Sequence, residues 1–271
     1  MTPVLVVFAG LLGLVIGSFL NVVVARVPVG ASLLPDSRCP RCEAPIRPWQ
    51  NVPVVSWIAL RGRCAACREP ISRRYPLVEL GTGLAFAGVA AWVLLALRPE
   101  NIVAGILLFA AYAWFAAAGI ALAAIDLDTR RLPDAVVLPS LAVIAMLLAA
   151  AALVDGDLAA LLRAALGAVA LFFFYLLLSV VRPGGMGGGD VKLAAVVGLV
   201  LGWLGAGPLV VGAFAAFVVG GIVGIVLLAR GSAGRRTAVP FGPWMLLGAW
   251  IGIVAGDPLA AWYLRLIGVD A

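Results

Sequence analysis

The 271-residue chain contains no histidine. That absence excludes Ser-His-Asp and Cys-His nucleophile systems, HExxH metalloproteases and every His-ligated metal site. Charge is scarce as well: charged residues make up 12%, against roughly 25% in an ordinary soluble domain. Lysine is almost missing, with Lys192 standing alone beside eighteen arginines. No positive charge precedes the first apolar run, and Arg26 follows it. That run is therefore expected to be a retained membrane span rather than a cleaved signal.

What fills the chain instead is apolar. The hydrophobic fraction is 64%, and the mean hydropathy is +1.15. A soluble fold could not hide that much apolar surface, so lipid is the expected solvent. A bilayer-crossing helix needs about 20 mostly apolar residues. Residues 1–25, 80–97, 101–125, 135–154 and 158–181 qualify, the last interrupted by Arg163. The uncharged run 193–229 is too long for one crossing and is expected to break at Gly205-Ala206-Gly207-Pro208. A last span is expected over 238–256, and the tail 257–271 as a short interfacial helix. The predicted fold is an all-α polytopic membrane protein of about eight transmembrane helices.

Charge asymmetry orients these spans. Nine arginines fall in loop 26–76. Arg130 and Arg131, then Arg182 and Lys192, then Arg230, Arg235 and Arg236 mark three more loop regions. With eight spans and the N-terminus outside, all four regions share the cytoplasmic side. The other side carries Arg98 and Arg265 against Glu100, Asp155, Asp157, Asp257 and Asp270. Three GxxxG pairs, Gly198/Gly202, Gly220/Gly224 and Gly248/Gly252, are expected to let helix backbones approach closely.

All four cysteines lie in the long loop after the first span, as Cys39-Pro40-Arg41-Cys42 and Cys64-Ala65-Ala66-Cys67. Two CxxC knuckles separated by 21 residues are close to zinc-ribbon spacing. In a reducing cytoplasm disulfides are disfavoured. A full thiolate shell leaves no open position, so Cys39, Cys42, Cys64 and Cys67 are expected to hold a structural Zn²⁺ that folds an Arg-rich loop with little core of its own. The alternatives are unligated thiols or a redox pair. The loop's arginines are expected to lie against anionic lipid, not nucleic acid.

Thirteen acids are few enough to take singly. Asp36 reads as a turn residue, and Glu43 and Glu69 as solvated neighbours of the knuckles. Glu79, Asp126, Asp128 and Asp190 are harder to dismiss. Asp126 ends an apolar run, in Ile125-Asp126-Leu127-Asp128-Thr129-Arg130-Arg131-Leu132-Pro133-Asp134. Asp190 follows glycines, in Gly184-Gly185-Met186-Gly187-Gly188-Gly189-Asp190-Val191-Lys192. Ionisable groups at bilayer depth are costly and mark function. Two carboxylates in one low-dielectric site share a proton, so one can activate water while the other donates to a carbonyl oxygen. That hydrolysis needs no imidazole. The residues leave other roles open: Asp190 as a helix N-cap, Asp126 as the partner of Arg130, and Asp128 or Asp134 as the catalytic acid in place of Asp126.

These segments resemble the bacterial type IV prepilin peptidases, the leader peptidases of the GxGD aspartic-protease group. The resemblance covers nearly the whole chain. It rests on Gly17-Ser18-Phe19-Leu20-Asn21, the tetracysteine loop with Asn51-Val52-Pro53 and Ser56-Trp57, Ile71 to Leu80, Ile125 to Asp134, Gly187 to Leu193, and Pro240-Phe241-Gly242-Pro243. It implies that Asp126 and Asp190 are catalytic. It implies substrates of prepilin and pseudopilin type, with a basic leader cleaved on the cytoplasmic side of the bacterial inner membrane. It also implies N-methylation of the new terminus by S-adenosylmethionine, associated with the cysteine loop. Residues 1–100 would then form a methyltransferase-associated region and 101–271 the peptidase domain. Glu79 is the candidate for methyl-donor binding, or else a boundary carboxylate neutralised by Arg73 or Arg74. A basic leader at a basic face would need local acids such as Asp128, Asp134 and Glu79, or lipid. A proton-coupled transporter and a non-catalytic scaffold are the competing classes. No repeat relates the two halves, which counts against the first.

Overall fold

The computed structural model describes residues 2–34, 37–182, 186–230 and 240–268. Asp36, Gly184, Gly185, Arg235, Arg236, Asp270 and the first two residues of the expected last span lie outside them. Among the described residues, regular structure is helical apart from two isolated β-bridges. Seven helices among the described residues are long and apolar enough to cross a membrane. The chain divides into two compact units.

The first unit comprises Met1–Glu100 and Tyr112–Ala121. It contains α1 (Thr2–Arg26), the short α2 (Val55–Ala59) and α3 (Arg74–Trp92), which continues as a π-helical stretch through Leu97. Helix α3 starts six residues before the apolar run, so Glu79 lies in its second turn rather than at its entry. Helices α1 and α3 pack together. Gly13 and Gly17 make this possible: a Cβ there would lie 2.6 Å from the Thr82 carbonyl oxygen and 2.7 Å from the Glu79 Cα. This is the small-residue contact of membrane helices, at a pair the sequence reading passed over.

The second unit comprises Asn101–Ala111 and Leu122–Ala271. Its helices are the two ends of α4 (Ile102–Thr129), α5 (Asp134–Asp155), α6 (Leu158–Val181), α7 (Gly188–Leu204), α8 (Ala206–Ala229) and α9 (Gly242–Leu266). Helix α7 touches α5, α6, α8 and α9, and from Val191 to Gly202 all but Lys192 is buried. It has 17 residues, about 25 Å. It is thus the element that makes eight expected spans into seven of full span length. Large apolar side chains elsewhere point outward, such as Phe173, Phe214 and Val254. That is the pattern of helices solvated by lipid.

The break in the 193–229 run falls at Gly205, whose φ of 137° only glycine adopts readily. Gly198 and Gly202 lie against the α6 backbone around Gly167, and Gly248 and Gly252 against α8 near Gly212. The third pair differs from expectation. Gly220 faces the rings of Phe241 and Trp244, and a Cβ on Gly224 would meet nothing within 4 Å. A second correction concerns the C-terminal tail. No separate helix begins at Asp257; α9 runs on through Pro258 to Leu266. Pro258 removes one backbone donor without ending the helix.

Candidate active site and metal centre

Asp126 lies in the last turn of α4 and is 4% exposed. Its Oδ2 accepts a hydrogen bond from the Gly242 N–H, the first residue of α9, at 3.1 Å. Arg130, in the left-handed conformation that ends α4, donates its backbone N–H to the Asp126 carbonyl. Asp190 is the third residue of α7. Its Oδ2 accepts from the Gly187 N–H at 3.0 Å, so it reaches back to the helix start from inside rather than standing at the N-cap. Each carboxylate thus sits at the electropositive N-terminus of a helix. The two are near enough for the Asp126 charge to act on Asp190.

Leu132 brings the motifs together. A Cβ on Gly189 would lie 2.8 Å from the Leu132 Cβ. A Cβ on Gly242 would lie 2.9 Å from Asp126 Oδ2 and 3.3 Å from Leu132 Cδ2. Close approach to the Leu132 Cβ calls for glycine at 189, while at 242 the neighbours are the ends of side chains. Three segments far apart in sequence therefore close on one point.

The other acids of the motif separate by environment. Asp134 opens α5 and receives two hydrogen bonds from Lys192 Nζ, at 2.8 and 2.7 Å. The clamp ties the start of α5 to α7. Asp134 is thereby engaged by a cation, whereas Asp126 is held by a main-chain donor. Asp128 is exposed on the last turn of α4. Sequence reasoning missed the clamp, although a single lysine in the whole chain was a signal for it. It also missed Tyr175 of α6. Tyr175 is 1% exposed, stacks at 5.6 Å on Phe217 and 6.2 Å on Phe241, and feels the Asp190 charge. Phe241 immediately precedes Gly242, so this aromatic cluster reaches the support of Asp126.

In the first unit the four cysteine sulfurs lie within 4.8 Å of one another. Cys39 and Cys67 Sγ are 3.8 Å apart, the edge of a tetrahedron with Zn–S arms of about 2.3 Å. Each knuckle is closed by an antiparallel bridge, Arg38 to Pro45 and Arg63 to Pro70. They are copies: Arg-Cys-x-x-Cys-x-x-Pro-Ile recurs at an offset of 25 residues, and Glu43 and Arg68 repeat the same positive φ. The backbone N–H groups of Cys42 and Arg41 hold the Cys39 thiol down to about 6. Those of Cys67 and Ala66 lower Cys64 in the same way. Cys67 goes the other way, to about 12: the Glu69 N–H favours its thiolate, but burial and the three neighbouring sulfurs outweigh it. Four sulfurs this close together could hold a metal ion, and the all-thiol donor set fits zinc.

Glu79 is 7% exposed. Its Oε2 accepts from the Val54 N–H at 2.7 Å, and the Ser18 hydroxyl bonds the same carboxylate. Val54 has φ 61° and ψ −49°, and the Val55 N–H bonds back to the Pro53 carbonyl at 2.6 Å. This is a γ-turn of the strained hand, at a β-branched residue. Glu79 also lines a cavity of about 730 Å³, enclosed by α1, α2, α3 and the two knuckles.

A carboxylate pair held at helix ends of a multi-pass scaffold, Asp126 buried and Asp190 half-buried, suits a membrane aspartic peptidase. The comparisons agree with that class. Residues 112–225 match the family model described as the type IV leader peptidase family, and residues 11–93 match that of the bacterial peptidase A24 N-terminal domain. The chain belongs to the type IV leader peptidase family. Among its relatives, the prepilin leader peptidase/N-methyltransferase of Stutzerimonas stutzeri is 37% identical, over 96% of this chain and 94% of its own. That of Neisseria gonorrhoeae is 37% identical over 95% and 93%, and that of Burkholderia pseudomallei strain 1026b is 39% identical over 96% and 88%. No solved structure matches.

Proposed function

We propose that this protein cleaves the leader from type IV prepilins and pseudopilins and then N-methylates the new terminal residue. The observation that carries the peptidase reading is the convergence of α4, α7 and α9 on Asp126 and Asp190. The relatives' names carry the second activity, since this chain spans almost all of their length.

In the proposed cleavage, the ionised carboxylate of the pair takes a proton from water as its oxygen bonds the scissile carbonyl carbon. The protonated carboxylate gives its proton to the carbonyl oxygen. Collapse of the resulting diol breaks the C–N bond, and the amine leaves with a proton from the pair. Gly242 and Gly187 hold the two carboxylates in place through the main chain. For the second step, S-adenosylmethionine supplies a methyl group on a sulfonium. Cys39, Cys42, Cys64 and Cys67 hold zinc, which fixes the loop. The basic loops support an orientation with the N-terminus outside and both sites at the cytoplasmic face of a bacterial inner membrane.

Co-expression with a prepilin-type substrate and mass spectrometry of its N-terminus tests both activities. Loss of the leader reports the peptidase, and one further methyl mass the transferase. Asp126→Asn and Asp190→Asn should each abolish cleavage while the protein still inserts. Normal cleavage by either variant refutes the mechanism.

A further inference from the structure

The cleavage chemistry uses two carboxylates and their main-chain supports, and it leaves the chain's single lysine without a part. Lys192 is the fifth residue of α7, two beyond Asp190. Near a helix N-terminus a cation gains nothing from the macrodipole, which favours anions there. What Lys192 gains is Asp134: both oxygens of that carboxylate accept from Nζ, at 2.8 and 2.7 Å.

Asp134 is the first residue of α5 and stands eight positions after Asp126. Between them run the last turn of α4 and a four-residue strap, 130–133. The strap has little slack. Arg130 is in the left-handed region, and its N–H bonds the Asp126 carbonyl at 2.8 Å. Pro133 is fixed in φ by its ring. Leu132 rests on Gly189, the residue before Asp190. The strap that leads away from one aspartate is therefore pinned twice to the helix start that carries the other. Leu132 against Gly189 sets how closely the two approach, but an apolar contact has no direction. The two charge-assisted hydrogen bonds of the clamp do have one, and they fix the strap's register along α7.

The clamp is half-exposed, with side chains 40% and 53% accessible, so it adds little to stability. Rate is far more sensitive to position: a displacement of ~1 Å at a reacting group can cost about 100-fold. We propose that Lys192 is a positioning residue of the peptidase site, which acts through Asp134 and the strap to set where Asp126 stands against Asp190 and does not itself meet the substrate. This rests on the peptidase reading proposed above.

The test is steady-state cleavage of a purified prepilin by the full chain in detergent or nanodiscs, with thermal unfolding of each preparation. Lys192→Met, Asp134→Ala and the double variant should each lower kcat by about 3- to 10-fold, with KM within about twofold of wild type. The double variant should be no slower than either single one, because the same interaction is lost only once. Wild-type kcat in folded Lys192→Met, with only the unfolding temperature lowered, makes the clamp purely structural and overturns the inference. A loss carried by KM, or one seen with Lys192→Met and not with Asp134→Ala, means that the lysine meets the substrate and overturns it as well. If Lys192→Met does not fold, Asp134→Ala decides by the same split between kcat and KM. A wild-type chain that cuts no prepilin, or an Asp190→Asn variant that still cuts, overturns the peptidase reading and the inference with it.

Discussion

Gly242→Ala separates stability from catalysis, because of which atom the new methyl would meet. The added Cβ would sit 2.9 Å from Asp126 Oδ2, several tenths of an ångström inside ordinary van der Waals contact. It would also sit 3.3 Å from the tip of Leu132. Both neighbours are far ends of side chains, so they can move, and the fold should survive with little loss. What moves is the carboxylate oxygen that Gly242 holds at 3.1 Å. A hydrogen bond to a charged group contributes about 1.5–3 kcal/mol. Losing it at the reacting group, at about 1.36 kcal/mol per decade of rate, gives roughly a 10- to 150-fold drop in kcat. KM should change little, since the leader's other contacts are untouched. The assay is steady-state cleavage of a purified prepilin, with thermal unfolding in the same detergent. A variant that cleaves at the wild-type rate would show that the Gly242 donor does not position Asp126. A variant that is inactive because it is unfolded would show that the contact belongs to the fold.

Two further outcomes follow from the same unit. Lys192→Met and Asp134→Asn should each cost about 0.2–1 kcal/mol, the scale of a half-exposed ion pair. Thermal unfolding of the double variant should show less than the sum of the two. Tyr175→Phe keeps the rings that stack on Phe217 and Phe241, so stability should hold while cleavage slows about 2- to 10-fold. An unchanged rate would leave the phenol hydroxyl without a part in the reaction.

The apolar runs were enough to locate every long helix, because lipid imposes one simple rule on them, though α3 starts six residues before its expected span and α9 ends ten residues beyond its own. The departures have local causes. Helix α3 begins at Arg74 because Ser72 and Arg73 start the helical hydrogen bonds before the apolar run does. Helix α9 passes Asp257 because one proline does not stop a helix already packed through Gly252 and Gly256. The acids were legible as candidates, yet their sorting was not. Spacing alone left Asp126, Asp128 and Asp134 level. What ranks them is tertiary: Asp134 is held by Lys192, 58 residues away, and Asp126 by Gly242, 116 residues away. The cysteine spacing marks a candidate metal site, and the 25-residue duplication around it shows in the paired bridges.

The missing histidine explains why so much stayed hidden. In this chain the proposed site residues are served by main-chain N–H donors. Gly242 serves Asp126, Gly187 serves Asp190, and Val54 serves Glu79. Cys42 and Arg41 serve Cys39, and Cys67 and Ala66 serve Cys64. Such donors carry no side-chain signature; they show only through where glycine is needed and where proline is allowed. Pro40 is the visible case. It stands one residue after Cys39, where no donor is used, while the donors come from the next two residues. The duplication makes Ala65 its counterpart. Ala65→Pro should therefore leave zinc affinity within about threefold of wild type. Ala66→Pro removes a donor to Cys64 and should weaken zinc by about 10- to 150-fold, the worth of a hydrogen bond to a charged group. Competition with a chromogenic chelator measures both. Equal affinities would mean that the thiolates are set by the metal alone and not by the backbone around them.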